Sequence, residues 1–216
     1  MNRNIGDLVV IVTITIIAPF ILFACATTSP SIPQVIKGQY NSTGEGMCLL
    51  APLGFKPNLT PSCTQTPQGT TVCPGIMQSW SGEGVYFFNK DGTGTFTALV
   101  QWVTPSFQGP SGIVPSSAGA QKVSAKFHHN VTNEGKITIT ADPGTYTMEW
   151  ISGPNAKKIY HLDGWARKGT VAPGCKIIIV NQLVTDVCSL TPPYVDLPPT
   201  AQSVCNASNI LIWQHD

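Results

Sequence analysis

The sequence predicts an all-β fold, an antiparallel up-and-down β-barrel of eight or nine strands. Short runs in which apolar and hydroxylated residues alternate recur along the chain, and turn-forming residues separate them. Glycine and proline, 20 and 18 of the 216 residues, are spread between the runs, and no amphipathic helix is evident after residue 25. Because strand side chains alternate between faces, each run predicts a strand with one buried face. Closing the sheet into a barrel would remove its edge strands, and a β-sandwich is the main alternative.

A hairpin between residues 80 and 103 is the clearest element. Two β-favouring runs, 85–88 and 95–103, flank the sequence 89–94, whose glycines accept the positive φ angles of a hairpin turn. The second run places Phe96, Ala98, Val100 and Trp102 on one face and Thr95, Thr97 and Gln101 on the other. Segment 89–94 also resembles the start of a calcium-binding loop, but Val100 stands where that loop needs a glutamate. We therefore predict a plain hairpin.

The same alternation predicts the remaining strands. They are expected at residues 36–50, 122–131, 136–141, 145–151, 158–166, 175–184 and 209–214. Turns are expected where Gly, Pro, Asn or Asp cluster, at 133–135, 142–144 and 152–155. Long loops are expected at 51–79, 104–120 and 189–204, which are rich in proline, glycine or serine. Residues 36–216 would then form a single domain.

The N-terminus predicts export and a lipid anchor. Arg3 precedes an apolar run of about 17 residues, which suits a signal peptide better than a spanning helix of about 20. The run ends in Leu22-Phe23-Ala24-Cys25, which resembles the lipobox of bacterial lipoproteins. The resemblance implies removal of residues 1–24, lipidation of Cys25 with acyl chains such as palmitate, and, because Ala26 follows, sorting to the outer membrane. Residues 25–35 would be a tether. An ordinary secretory signal or an uncleaved anchor helix is the alternative.

The cysteine content agrees with export. With Cys25 assigned to lipid, six of the seven cysteines remain, enough for three disulfides. Several pairings are open, and we expect Cys63–Cys73, Cys175–Cys188 and Cys48–Cys205. The absence of a Cys-x-x-Cys sequence argues against a thioredoxin-like site or a zinc ribbon. Disulfides of this number predict an oxidising compartment.

Composition excludes one class of partner. Charged residues make up 11% of the chain, against about 25% in typical domains, and the net charge is +1. Without a basic patch to hold phosphates, the chain is not expected to bind nucleic acid.

The layout of residues 36–184 resembles the lipocalin-like (calycin) barrels. Gly38-Gln39-Tyr40 corresponds to the Gly-x-Trp of their first strand, and 51–79 to the loop over the barrel mouth. The resemblance implies a barrel that holds a small apolar ligand. Five aromatic residues fall on one face of successive strands, together with Val100 and Met148: Phe96, Trp102, Phe127, Tyr146 and Trp150. They form either a packed core or the lining of a ligand cavity.

Candidate catalytic chemistry is sparse. His161 and Asp163 lie two positions apart, hence on one strand face, and Glu149 belongs to the preceding strand. This trio could act as an acid/base cluster, or it could be part of a solvated outer face. His128 and His129 are adjacent on a strand and point to opposite faces, so they are not expected to share a metal ion. Known nucleophile and phosphate-binding motifs are absent. We therefore expect no enzyme activity, no metal and no cofactor.

The sequence favours a lipid-anchored envelope protein whose barrel binds a small apolar ligand or a lipid. The alternative is a structural lipoprotein with a solid barrel that contacts another envelope component through loops 51–79 and 104–120. An enzyme that uses Glu149, His161 and Asp163 is the third hypothesis.

Overall fold

The computed structural model describes residues 35–109, 112–163, 165–182, 187–191 and 200–214, with the backbone alone at 108–109, 163 and 187–191. The predicted signal peptide, the lipidation site Cys25 and the tether up to residue 34 lie outside these residues. Within the described part of the chain, no helix has the length and apolarity that crossing a bilayer requires.

Eight antiparallel strands form the fold. They are β1 (Gly38–Ala51), β2 (Ile76–Phe88), β3 (Thr93–Thr104), β4 (Ser117–Val131), β5 (Lys136–Ala141 and Tyr146–Trp150), β6 (Ile159–Asp163 and Ala166–Val171), β7 (Ile177–Gln182 and Val187–Thr191) and β8 (Gln202–Trp213). Each strand pairs with the next, and β8 pairs with β1, so the sheet closes on itself. The predicted up-and-down barrel is confirmed, and the β-sandwich alternative is wrong.

The seam between β1 and β8 is continuous from Tyr40, which pairs with Trp213, to Ala51, which pairs with Gln202. A disulfide between Cys48 and its register partner Cys205 crosses this seam, with their Cα atoms 4.1 Å apart. It links positions 157 residues apart, so it ties the two ends of the barrel domain together.

The second predicted disulfide, Cys63–Cys73, also forms, with a Cα–Cα distance of 3.9 Å. It brackets a small hairpin of Thr64–Gln65 and Thr71–Val72 in the loop between β1 and β2. This loop is fastened to β8, because the Gln202 side chain accepts a hydrogen bond from the Phe55 backbone N–H at 2.9 Å. The third predicted pair involves Cys188, whose side chain lies outside the described residues.

The predicted turn at 142–144 does not reverse the chain, which corrects the expectation of separate strands at 136–141 and 145–151. Both halves of β5 pair antiparallel with β4: Ala141 faces Phe127, and Thr147 faces Ser124. The partners on β4 are three positions apart and those on β5 six, so residues between the halves bulge outward. The bulge forms because the Asp142 N–H still donates to the Lys126 carbonyl, while the Thr145 N–H closes a tight turn onto Asp142.

Other strand limits also differ from the expectations. The structure assigns Ala166–Val171 to β6 and Val187–Thr191 to β7, although neither segment was predicted as a strand beyond residue 166 or 184. The strands β2, β4 and β8 extend into segments 76–79, 117–121 and 202–208, which were predicted as loops or left unassigned. These stretches are poor in large apolar residues, and their strand conformation comes from pairing with neighbours distant in the sequence.

One end of the barrel is filled with side chains, and we call it the closed end. Its fully buried members include Tyr40, Tyr86, Phe88, Phe127, Ile137, Ile139, Ile178 and Leu211. The ring centroids of Phe88 and Phe127 are 5.2 Å apart, and those of Tyr86 and Phe96 are 4.4 Å apart. The Tyr40 hydroxyl donates a 2.6 Å hydrogen bond to the carbonyl of Cys175 and so fastens the short 3₁₀ turn Pro173–Cys175 across this end.

The opposite end carries the long connections after β1, β3, β5 and β7. The connection after β3 contains a small hairpin, Phe107–Gly109 with Gly112–Val114, before β4 begins at Ser117. We call this the mouth end, because the main interior cavity lies there.

Candidate functional site

A cavity of about 270 Å³, here called the mouth cavity, occupies the barrel interior beneath the mouth-end loops. Large apolar side chains form much of its wall: Trp102, Phe107, Met148, Trp150, Tyr160 and Leu162. Its volume is near the lower limit of the range in which proteins bind small molecules, which begins at about 300 Å³. The cavity therefore fits a small, largely apolar ligand.

Gly119 creates room for the tryptophans of this cavity. It pairs with Trp102 across the β3–β4 ladder, and a Cβ atom on it would lie 2.7 Å from the Trp150 ring. The Trp150 ring therefore lies across the β4 backbone. A larger residue at this position would displace that ring.

Three polar atoms at the mouth cavity are buried without a hydrogen-bond partner. They are the indole nitrogens of Trp102 and Trp150 and the side-chain oxygen of Gln121. Two donors and one acceptor thus border an otherwise apolar space. A few polar groups in an apolar cavity are the usual means by which proteins orient a small ligand.

A smaller space of about 60 Å³, here called the inner chamber, lies deeper in the barrel. It shares Trp102, Leu162 and Cys205 with the lining of the mouth cavity, so the two spaces are adjacent. One side of the chamber is aromatic: the Trp165 ring stacks on Phe96 at 6.0 Å between centroids.

The other side of the inner chamber is polar. Ser42, Arg167, Gln182 and Asn209 line it from β1, β6, β7 and β8, which are consecutive around the closed barrel. Gly44 on β1 accommodates the Asn209 amide, since a Cβ atom there would come within 2.5 Å of that side chain. We call these four residues the polar wall.

Arg167 is the charged member of the polar wall and is only 4% exposed. Its Nε and Nη1 atoms have no hydrogen-bond acceptor, and no carboxylate of the described residues forms an ion pair with it. The Trp165 ring lies 4.8 Å from its Cζ atom and supplies a cation–π contact. The positive charge also reaches Tyr86: burial raises the pKa of that phenol, and Arg167 opposes part of the rise.

The predicted lining residues divide between two environments. Trp102 and Trp150 line the mouth cavity, while Phe96 and Tyr146 line the inner chamber. Phe127 instead packs within the closed end. Both interpretations of the aromatic face thus apply, a packed core at one end and a lined cavity at the other. The sequence analysis missed Arg167, Gln182 and Asn209, although the spacing of Trp165 and Arg167 already places them on one strand face.

The candidate acid/base trio does not converge on these spaces. Glu149 is exposed on the outer face of β5, between the inward-facing Met148 and Trp150. His161 lies on the outer face of β6, paired with Thr147, and the side chain of Asp163 lies outside the described residues.

The two adjacent histidines point to opposite faces. His128 is exposed, and its Nδ1 lies 2.8 Å from a carboxylate oxygen of Asp142. His129 points inward against Phe88, with ring centroids 4.9 Å apart, and burial lowers its pKa. Among the described side chains, no three His, Cys, Asp or Glu residues approach closely enough to hold a metal ion.

Comparison of the chain with known protein families, with curated proteins and with solved structures found no match.

Proposed function

We propose that this chain is a lipid-anchored envelope protein that binds a small, mainly apolar ligand in the mouth cavity without transforming it. The observation that carries the proposal is the asymmetry of the barrel interior. One end is packed with fully buried aromatic and aliphatic side chains, while the other holds a cavity of about 270 Å³.

The unpartnered polar atoms of the mouth cavity support ligand binding. A buried donor or acceptor without a partner costs about 1–3 kcal/mol, and three such atoms border this cavity. A ligand with one acceptor near Trp102 or Trp150 would offset part of this cost. Its apolar body would meanwhile contact the indole rings and Met148.

The proposed location rests on the sequence before residue 35 together with the disulfides. Cys48–Cys205 and Cys63–Cys73 both favour an oxidising compartment. The lipobox resemblance at 22–25 supports lipidation of Cys25, and residues 26–37 would then connect the lipid to β1. The Ala26 that follows supports the outer membrane.

Kinship with the lipocalin-like barrels is part of the same proposal. The closed eight-stranded meander supports it. In β1, Gly38 has a φ of +90° and lies against the Trp213 ring, and Tyr40 is buried where those barrels have tryptophan.

A structural role in contact with another envelope component is the second candidate, and an exposed apolar patch favours it. Ile177 pairs with Ile212, and Ile179 pairs with Ile210, across the outer face of β7 and β8. All four side chains are more than two-fifths exposed. Contiguous exposed apolar groups of this kind mark interaction surfaces in many proteins.

The ligand-binding proposal is tested with the neutral fluorescent probe N-phenyl-1-naphthylamine and the purified full chain. We expect saturable binding with enhanced emission. Ser117→Phe, which would fill part of the mouth cavity from β4, should weaken binding at least ten-fold, about 1.4 kcal/mol. The matched control Ser79→Phe adds the same ring on the exposed outer face of β2 and should leave binding unchanged. Equal effects of the two substitutions would contradict the proposal.

A further inference from the structure

We propose that the ligand of this barrel is an organic acid, whose acidic group enters the inner chamber beside Arg167 while its apolar body fills the mouth cavity. This inference rests on the ligand-binding function proposed above and names the class of ligand. No property of the sequence outside the barrel contributes to it.

The first argument is the isolation of the Arg167 charge. Removing a guanidinium from water is costly unless a counter-charge and hydrogen-bond acceptors replace the solvent. Arg167 is 96% removed from solvent, yet two of its nitrogens have no acceptor and no ion pair forms in the described residues. The Trp165 ring compensates only one face of the cation. A bound anion would supply both missing contributions.

The second argument is the position of the charge relative to the cavities. Arg167 lines the inner chamber, and that chamber shares three lining residues with the mouth cavity. A ligand that enters from the mouth would therefore pass between apolar walls before it meets the guanidinium. A carboxylate is small enough for a space of about 60 Å³, whereas the apolar part of the ligand is not.

The third argument is the chemistry of the polar wall. The Asn209 side-chain nitrogen is a further buried donor without a partner, and Ser42 lines the same chamber. Donors therefore outnumber the acceptors available to them beside a positive charge. Charge-assisted hydrogen bonds from such donors to a carboxylate are stronger than those to a neutral group.

The test uses two probes of the same shape, 2-naphthoate and 2-naphthylmethanol, titrated into the purified full chain and followed by calorimetry. We expect the acid to bind the wild-type protein at least ten-fold more tightly than the alcohol. Arg167→Gln should reduce the affinity for the acid to that for the alcohol and leave the alcohol unchanged. The control Lys168→Gln removes a positive charge from the neighbouring, exposed position and should preserve the preference for the acid.

The outcomes separate the two proposals. If both probes bind the wild-type protein equally, or if Arg167→Gln retains the preference for the acid, the organic-acid inference is wrong while ligand binding stands. If neither probe binds, ligand binding and the inference both fail. Should Arg167→Gln not fold, the wild-type comparison still decides, and Arg167→Lys, which keeps the charge, is expected to retain part of the preference.

Discussion

The disulfide across the β1–β8 seam offers a quantitative test of barrel closure. Cys48 and Cys205 are register partners separated by 157 residues, so their bond restricts nearly the whole barrel domain in the unfolded state. In the chain-entropy description a loop of that length contributes about 5 kcal/mol to stability. The double substitution Cys48→Ala, Cys205→Ala should therefore reduce the free energy of unfolding by about 3–5 kcal/mol, allowing for relaxation at the buried Cys48.

The Cys63–Cys73 disulfide is the matched control. It spans only 10 residues within one loop, for which the same description gives about 3 kcal/mol at most. Because that loop lies outside the barrel wall, much of this contribution should be local. Urea unfolding followed by tryptophan fluorescence, with both double variants prepared under oxidising conditions, measures the difference. If losing Cys63–Cys73 costs as much as losing Cys48–Cys205, the closed seam in this register is refuted.

Two further predictions concern single side chains. Burial, with a smaller contribution from Cys175, raises the pKa of Tyr40 to about 12, and its hydroxyl donates to the Cys175 carbonyl; Tyr40→Phe should cost about 1 kcal/mol in urea unfolding. Tyr86→Phe, which removes a buried hydroxyl without a partner, should be neutral or stabilising, and a larger loss for Tyr86→Phe would contradict both assignments. Burial lowers the pKa of His129 below 6.5, so its neutral form contributes stability that is complete above pH 6.5 and lost as pH falls towards the folded pKa. Unfolding between pH 7 and 5 should be less pH-dependent in His129→Gln than in the control His128→Gln.

Much of the fold follows from local sequence. The alternation of Phe96, Ala98, Val100 and Trp102 correctly predicted an inward face, and the segment 89–94 forms the expected hairpin turn, with Gly92 at a φ of +86°. Two disulfides were also predicted correctly. These features depend on spacing and on residue type, which the sequence displays directly.

The remaining features depend on partners that are distant in sequence. Whether Asp142-Pro143-Gly144 reverses the chain or bulges is decided by both halves of β5 pairing with β4. Whether the aromatic residues form a core or a cavity is decided by the small Gly119, which lets Trp150 lie across the strand. Arg167 was not predicted because Ala166–Val171 lacks the apolar alternation of an ordinary half-buried strand.

The most direct test of ligand binding in the mouth cavity is a titration followed by NMR of the indole N–H groups. The chain has five tryptophans, and single Trp→Phe variants would assign their signals. On addition of 2-naphthoate, we predict that the Trp102 and Trp150 signals shift and saturate, while Trp213 at the closed end stays unchanged. Unchanged Trp102 and Trp150 signals, or shifts no larger than that of Trp213, would contradict the account.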